Sequence, residues 1–186
     1  MSTIRIAGTI DDSIVDGPGL RYVVFFQGCS HHCPNCHNAG TWDFGGGKEQ
    51  EITDIIEEIA GNPLLTGITL SGGDPMDSAM DACNFLELVK LSCPHLDVWT
   101  YTGYSVEELL KDKSSWKYKL LTSTDVLVDG LYIDKLRDLT LSFRGSKNQR
   151  LIDMKATLKA NKPVLWCGED SLLKEAGMHD FSGIAS

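Results

Sequence analysis

The sequence lacks an apolar run long enough to cross a membrane, and it has no cluster of basic residues. No stretch approaches the roughly 18 consecutive apolar residues that a membrane-spanning helix needs. The N-terminus lacks the basic and then apolar pattern of a signal peptide. Lysine and arginine number 17 against 26 aspartates and glutamates, so the net charge of -9 repels a phosphate backbone. These absences predict a cytoplasmic protein with no membrane or nucleic-acid partner.

Internal repeats and low-complexity segments are also absent, and strand-like runs alternate with helix-like stretches instead. The strands are predicted at residues 20–27, 67–71, 97–102, 124–129, 139–143 and 163–167. The helices are predicted at residues 50–61 and 77–91, and residues 105–108 form a capping-box pattern. Residues 151–160 fit either a helix or an extended chain.

This alternation predicts an α/β protein with a parallel sheet. A closed eight-unit barrel needs about 250 residues, whereas at roughly 30 residues a unit this chain supplies about six. The expected fold is therefore an open, partial (β/α)6-type barrel that forms a single domain over residues 1–186. Its functional loops are expected at the carboxyl ends of the strands. Residues 168–186 show no strong pattern and are interpreted as a possible C-terminal tail or docking element.

Three of the six cysteines crowd into one short stretch directly after a strand-like run. Cys29, Cys33 and Cys36 have the spacing C-x3-C-x2-C, whereas the other three cysteines are scattered and form no second cluster. In a cytoplasmic chain such a crowd indicates metal binding or redox chemistry more often than disulfides. Three thiolates leave one coordination position open, and an open position allows a bound metal to take part in chemistry.

Three other interpretations of these cysteines remain open from the spacing alone. Cys33 and Cys36 by themselves resemble a thioredoxin-type redox pair, which expects a helix immediately afterwards. Residues 37–47 are typical of a loop instead, and this interpretation leaves Cys29 without a role. Structural zinc, with one of the three nearby histidines as a fourth ligand, is the second alternative. The third is a chance grouping of ordinary buried cysteines.

A glycine-rich turn follows the next buried strand, at Gly72, Gly73, Asp74 and Pro75. Two glycines allow the backbone to approach a ligand closely, and Asp74 adds an acceptor for a positively charged amine. The alternative is an ordinary turn in which Asp74 caps the following helix. The turn is not a P-loop, because the Gly-Lys-Ser/Thr ending is missing.

Four further motifs are spread along the chain. They are Asp-Gly-Pro-Gly-Leu-Arg at residues 16–21, Trp-Thr-Tyr-Thr-Gly-Tyr at 99–104, Asp-Val-Leu-Val-Asp-Gly at 125–130 and Arg-Gly-Ser-Lys-Asn-Gln-Arg at 144–150. With the cysteine spacing and the glycine turn, they resemble the radical S-adenosylmethionine (SAM) enzymes. Within that superfamily they resemble the activating proteins of anaerobic (class III) ribonucleoside-triphosphate reductase, over about residues 4–167.

This resemblance implies a set of cofactors and ligands. Cys29, Cys33 and Cys36 would hold a [4Fe–4S] cluster whose fourth iron binds the amino and carboxylate groups of SAM. Gly72, Gly73 and Asp74 would receive the methionyl amino group. Many members have an aromatic residue where this chain has Asn35, so adenine contacts are expected from backbone groups of Asn35, Cys36 and His37.

The resemblance also implies the reaction. Reductive cleavage of SAM gives a 5′-deoxyadenosyl radical, which removes a hydrogen atom from a glycine of the reductase, so no side chain need act as acid or base. Reduced flavodoxin or a similar low-potential donor would supply the electron. Two other functions remain as alternatives: a small radical SAM enzyme of the 7-carboxy-7-deazaguanine synthase type, and a non-catalytic zinc-binding interaction module.

Overall fold

The computed structural model describes residues 2–168, in which seven strands and five α-helices follow one another. The strands are β1 (Thr3–Ser13), β2 (Arg21–Phe26), β3 (Lys48–Glu51), β4 (Gly67–Gly72), β5 (Asp97–Tyr101), β6 (Val126–Asp129) and β7 (Arg150–Asp153). The helices are α1 (Ile52–Gly61), α2 (Ala79–Ser92), α3 (Val106–Leu109), α4 (Trp116–Thr122) and α5 (Met154–Ala160). Two short 3₁₀ helices span Ala39–Thr41 and Asp134–Leu136. None of the helices among residues 2–168 has the length and apolarity needed to span a bilayer.

All seven strands form one mixed sheet in the order β3-β1-β2-β4-β5-β6-β7. The α/β class is confirmed, and β2, β4, β5 and β6 are parallel as expected. The prediction of a wholly parallel sheet is wrong at both edges, because β1 and β7 pair antiparallel with β2 and β6. The four central strands consequently end at the same edge of the sheet, where the cysteine loop and the glycine turn leave β2 and β4.

The helices of the described chain pack on one face of this sheet. In α1, Ile52, Ile55 and Ile59 recur at helical spacing and are each about 1% exposed. Burying each isoleucine contributes roughly 1.5–3 kcal/mol to the free energy of folding. The opposite face carries Trp99, against which the rings of Phe143 and Trp166 pack at centroid distances of 5.3 and 5.0 Å. Loops rather than helices therefore cover the second face.

The predicted strand at residues 139–143 is wrong, because this segment forms turns and pairs with no strand. Residues 163–167 make only one isolated bridge, from Leu165 to Ile152 beside β7. The ambiguous residues 151–160 contain both structures, since β7 ends at Asp153 and the Asp153 side chain caps α5 by accepting from Ala156 N at 2.8 Å. The capping box of α3 is confirmed. Apart from Gly168, the proposed C-terminal tail lies outside the described residues.

A buried arginine at the start of β2 explains the Asp-Gly-Pro-Gly-Leu-Arg motif. The Arg21 side chain is fully buried, and its Nε donates to Thr69 Oγ1 at 2.7 Å. Its Nη2 donates to the Ile68 carbonyl at 2.7 Å and pairs with the Asp97 carboxylate. A Cβ at Gly17 would lie 2.5 Å from Arg21 Cδ, so only glycine fits there. The motif therefore ties the beginnings of β2, β4 and β5 together.

Candidate functional site

The three clustered cysteines lie on a loop that begins where β2 ends. The loop is closed at its base, where Gly28 N donates to Thr41 O at 2.7 Å and Cys29 N donates to Trp42 O at 3.1 Å. The Cys29 residue is buried, and Cys33 and Cys36 are half-buried. All three cysteines line one cavity of about 320 Å³ on the face of the sheet that carries no helices. A single turn of 3₁₀ helix at Ala39–Thr41 is the only helical part of residues 37–47.

The remaining cysteines lie away from this cavity. Cys83 and Cys93 are buried in the core beneath the helices. Cys167 is exposed near the end of the described chain. The three cysteines that line the cavity are therefore the three that share the C-x3-C-x2-C spacing.

Two residues of the cysteine loop have a left-handed backbone conformation. His32 has φ 50° and Asn35 has φ 57°, and asparagine tolerates this region better than most residues. Cys36 N donates to Cys33 O at 3.1 Å across the resulting turn. The Asn35 amide donates to Asp134 Oδ2 at 3.0 Å. Asn35, at the position where many radical SAM enzymes have an aromatic residue, therefore stabilises the turn of the loop and attaches the loop to the segment after β6.

The glycine turn packs directly against the base of the cysteine loop. Gly73 N donates to Phe26 O at 2.8 Å, and Asp74 N donates to Gly28 O at 2.9 Å, so the pairing of β2 with β4 continues beyond both strands. A Cβ on Gly73 would lie 2.1 Å from Gly28 O. Gly72 has φ +96°, and a Cβ there would lie 2.6 Å from the Phe25 carbonyl carbon. Both glycines are therefore needed for the close contact between the two motifs.

The Asp74 carboxylate is 1% exposed and accepts four hydrogen bonds. Oδ2 accepts from His31 Nε2, Thr102 Oγ1 and Gly103 N, each at 2.9 Å. Oδ1 accepts from Met76 N at 2.9 Å, which is the turn contact that the alternative interpretation expects. The sequence analysis did not identify the contribution of His31 and Thr102. A carboxylate offers about four acceptor positions, and protein donors already use four. A ligand amine at Asp74 would therefore have to share the carboxylate oxygens with these donors.

His31 connects the cysteine loop to two other elements. Its hydrogen bond to Asp74 raises the pKa of the His31 imidazole, although burial works in the opposite direction. The ring packs edge-on against Tyr104 at a centroid distance of 4.5 Å. The sequence pattern gives His31 no individual role, because His32 shares its position between Cys29 and Cys33 and only the fold brings His31 to Asp74.

A second carboxylate holds the neighbouring residue of the loop. Asp77 accepts from Ser30 N at 2.8 Å and from Tyr104 Oη at 2.7 Å, and Lys117 Nζ lies 3.5 Å away. Burial alone would raise the pKa of Asp77, but the hydrogen bonds from Tyr104 and Ser30 and the charge of Lys117 lower it. The cysteine loop is thus fixed by Asp74 and Asp77 on the same stretch of chain after β4.

The three cysteines provide the thiolate ligands that a [4Fe–4S] cluster uses. Burial raises the pKa of the Cys29 and Cys33 thiols, so stable thiolates there require a nearby positive charge. Within residues 2–168, no group of three or more His, Cys, Asp or Glu side chains is arranged around one metal ion. In a [4Fe–4S] cluster each thiolate binds a different iron, so the sulfurs need not converge on one point.

The segment after β6 forms the far wall of the cavity, and the Arg-Gly-Ser-Lys-Asn-Gln-Arg motif holds it in place. Gln149 Oε1 accepts from Gly145 N at 2.9 Å and Ser146 N at 3.1 Å, while Gln149 Nε2 donates to Gly130 O at 3.2 Å. Asn148 Nδ2 donates to Leu131 O at 2.7 Å. The amide side chains of this motif therefore hold the backbone at residues 130, 131, 145 and 146 in place.

Arg150 completes the motif through an ion pair with the buried carboxylate of Asp129. Its Nε donates to Asp129 Oδ1 at 3.0 Å, and its two terminal nitrogens bind the Glu107 carboxylate at 2.9 and 2.7 Å. Asp129 is 1% exposed and also accepts from Val106 N at 2.8 Å. The hydrogen bond from Arg150 lowers the pKa of Glu107. Arg150 thus joins the end of β6, the start of α3 and β7.

Comparison with known proteins identifies the class of this chain and then its family. The family model described as a 4Fe-4S single cluster domain matches residues 15–152. The anaerobic ribonucleoside-triphosphate reductase-activating protein of Vibrio cholerae is 39% identical over 142 residues, which cover 73% of this chain and 89% of the relative. The protein of that name from Escherichia coli K12 is 37% identical over 144 residues, covering 73% and 90%. The one from Enterobacteria phage T4 is 35% identical over 142 residues, covering 74% and 86%. This chain belongs to the family of anaerobic ribonucleoside-triphosphate reductase-activating proteins.

Proposed function

We propose that this protein is the activating enzyme of an anaerobic ribonucleoside-triphosphate reductase, and that it generates a glycyl radical on that reductase by cleaving SAM. The observation that carries the proposal is the meeting of the cysteine loop and the glycine turn at one cavity. The names of the relatives support the reductase as the target. The sheet with helices on one face fits the open, partial barrel that the sequence predicts.

Cys29, Cys33 and Cys36 would hold the [4Fe–4S] cluster. When bound, this cluster supplies the electron for reductive cleavage of SAM into methionine and a 5′-deoxyadenosyl radical. The protein's own contribution is to leave one iron without a protein ligand and to keep the loop rigid through Asp74 and Asp77.

Gly72, Gly73 and Asp74 are the proposed contacts for the methionyl amino group of SAM. The absence of side chains on the two glycines lets a ligand approach the backbone, and Asp74 supplies negative charge. Backbone groups of Asn35, Cys36 and His37 would contact the adenine. We further propose a cytoplasmic protein that receives electrons from flavodoxin or a similar low-potential donor. Its acidic charge argues against a nucleic-acid partner, and its sequence gives no reason to expect a membrane partner.

Neither alternative function is favoured by the three relatives described above, each of which carries the activating-protein name. The non-catalytic zinc module would also require four ligands around one ion. An anaerobic preparation that contains zinc but no iron would nevertheless support that module.

The test is anaerobic reconstitution with iron and sulfide, followed by reduction, addition of SAM and assay of 5′-deoxyadenosine. We expect product from the wild-type protein and none from Cys29→Ala, because the cluster loses one of its three protein ligands. Cys167→Ala is the matched control, since Cys167 is exposed and lies outside the cavity. With the reductase present, the glycyl radical should appear in the electron paramagnetic resonance spectrum. Product formation by Cys29→Ala would refute the cluster assignment.

A further inference from the structure

The segment of residues 131–139 carries an unusual amount of exposed apolar surface beside the site. Four large apolar side chains of this segment are between 39% and 80% exposed: Leu131, Ile133, Leu136 and Leu139. We call these four residues the apolar strip. Single exposed apolar side chains are ordinary, but a group on one short segment is typical of an interaction surface.

One end of the apolar strip, at Leu131 and Ile133, borders a cleft that adjoins the cavity of the cysteines. A cleft of about 420 Å³ lies between the cysteine loop and this segment, and Pro34, Leu131 and Ile133 contribute its apolar walls. Cys33 and Tyr132 line both this cleft and the cysteine cavity. A chain that occupies the cleft is therefore led directly to the three cysteines.

Charge distinguishes the longer stretch of residues 130–150, which contains the apolar strip, from the rest of the protein. Residues 130–150 contain five of the 17 lysines and arginines but only two of the 26 aspartates and glutamates. Lys135 and Arg137 are exposed and form no ion pair within the part of the chain that the structure describes. An acidic partner is repelled by most of this protein, with its net charge of -9, and is attracted here.

The surface is formed before any partner arrives. Asn148 donates to Leu131 O at 2.7 Å, and Ser146 Oγ accepts from Ile133 N at 3.2 Å. Lys147 N donates to Leu136 O at 2.9 Å. Because these bonds fix the backbone that carries the strip, little conformational entropy has to be lost when a partner binds.

We propose that the apolar strip, with Lys135 and Arg137, docks a surface of the reductase that carries acidic and apolar side chains. The inference rests on the proposed function and adds the docking surface to it. Apolar side chains of the partner fill the cleft, and its carboxylates pair with the two basic residues. The glycine of the reductase that is to be activated then enters the cysteine cavity through the cleft.

The test measures affinity between the cluster-loaded protein and the full-length reductase under anaerobic conditions. We expect the double variants Lys135→Glu with Arg137→Glu, and Leu136→Ser with Leu139→Ser, each to raise the dissociation constant by about tenfold or more. Only the charge variant should lose salt dependence of binding. The iron content and the slow cleavage of SAM without reductase should stay unchanged in both, which shows that each variant is folded and loaded.

Matched controls carry the same changes elsewhere. Leu91→Ser alters a side chain that is 80% exposed on α2, and Lys111→Glu with Lys113→Glu reverses two exposed charges between α3 and α4. Unchanged affinity in both strip variants, or an equal loss in the controls, overturns the proposal. It is also overturned if the strip variants abolish only self-association of this chain in sedimentation experiments. A wild-type protein that produces no glycyl radical on the reductase would refute the proposed function instead.

Discussion

Replacing Gly73 with alanine tests the close contact between the cysteine loop and the glycine turn. The new Cβ would lie 2.1 Å from Gly28 O and 2.7 Å from Gly28 C. Both atoms belong to the backbone, so a rotamer change cannot relieve the clash. The two segments have to separate by about 1.3 Å before the Cβ and Gly28 O reach 3.4 Å, where ordinary contacts begin.

The magnitude follows from what this separation breaks. Forcing one extra carbon into a packed site costs about 1–3 kcal/mol. The hydrogen bonds from Gly73 N to Phe26 O and from Asp74 N to Gly28 O lengthen, and each contributes about 1 kcal/mol. We expect Gly73→Ala to lower the free energy of unfolding of the apoprotein by about 2–5 kcal/mol.

The assay combines anaerobic urea unfolding of the apoprotein with iron analysis and SAM binding after reconstitution. Gly40→Ala is the matched control, because Gly40 lies on the same loop and a Cβ there meets nothing within 4 Å. The control should change the free energy of unfolding by less than about 1 kcal/mol. A Gly73→Ala protein with wild-type stability, iron content and SAM affinity would show that the contact between the two motifs is not tight in solution.

Two further substitutions probe the hydrogen-bond network around the site. Arg150→Met leaves the Asp129 carboxylate buried without its cation, and we expect a loss of about 2–3 kcal/mol in urea unfolding, less than for a fully buried pair because Arg150 is 35% exposed. His31→Ala removes one of three donors to Asp74 Oδ2. Because the Asp74 carboxylate is then held less firmly in position, we expect SAM to bind about tenfold more weakly in equilibrium titrations.

The controls for these two variants use residues of the same type. Lys119→Met breaks an ion pair with Glu87 in which both side chains are largely exposed, so stability should hardly change. His32→Ala removes a histidine of the same loop whose Nδ1 contacts only the Ser30 carbonyl, at 3.2 Å. Equal effects in variant and control would contradict the roles given to Arg150 and His31.

The sequence predicted the central strands well because their apolar, β-branched runs are buried on both faces. The edges were harder. Lys48–Glu51 consists entirely of polar residues and was partly assigned to the following helix, yet it forms β3 because β1 offers it an unpaired edge. Residues 139–143 have strand-like composition, but Phe143 packs on Trp99 and has φ 58°, which no regular strand allows. Tertiary contacts decided both cases.

For the site, the cysteine spacing and the glycine turn identified the two segments that meet at the cavity. Their close approach was not visible in the sequence, since it depends on the register that places Phe26 opposite Gly72. The hydrogen bonds from His31 and Thr102 to Asp74 were missed for the same reason. The Arg-Gly-Ser-Lys-Asn-Gln-Arg motif was recognised as distinctive, but only the structure assigns its amide side chains to the loop backbone.

About 40 residues lie between β2 and its partner strand β4. The cysteine loop is therefore synthesised well before the residues that hold it. The cysteines leave the ribosome long before Gly73, Asp74 and Thr102 exist to hold their loop. A nascent chain at that stage presents three thiols on backbone without a fixed shape, which can capture a stray metal ion as readily as iron. Under the proposed function, loading of the cluster therefore depends on a scaffold that is complete only after residue 102 has emerged.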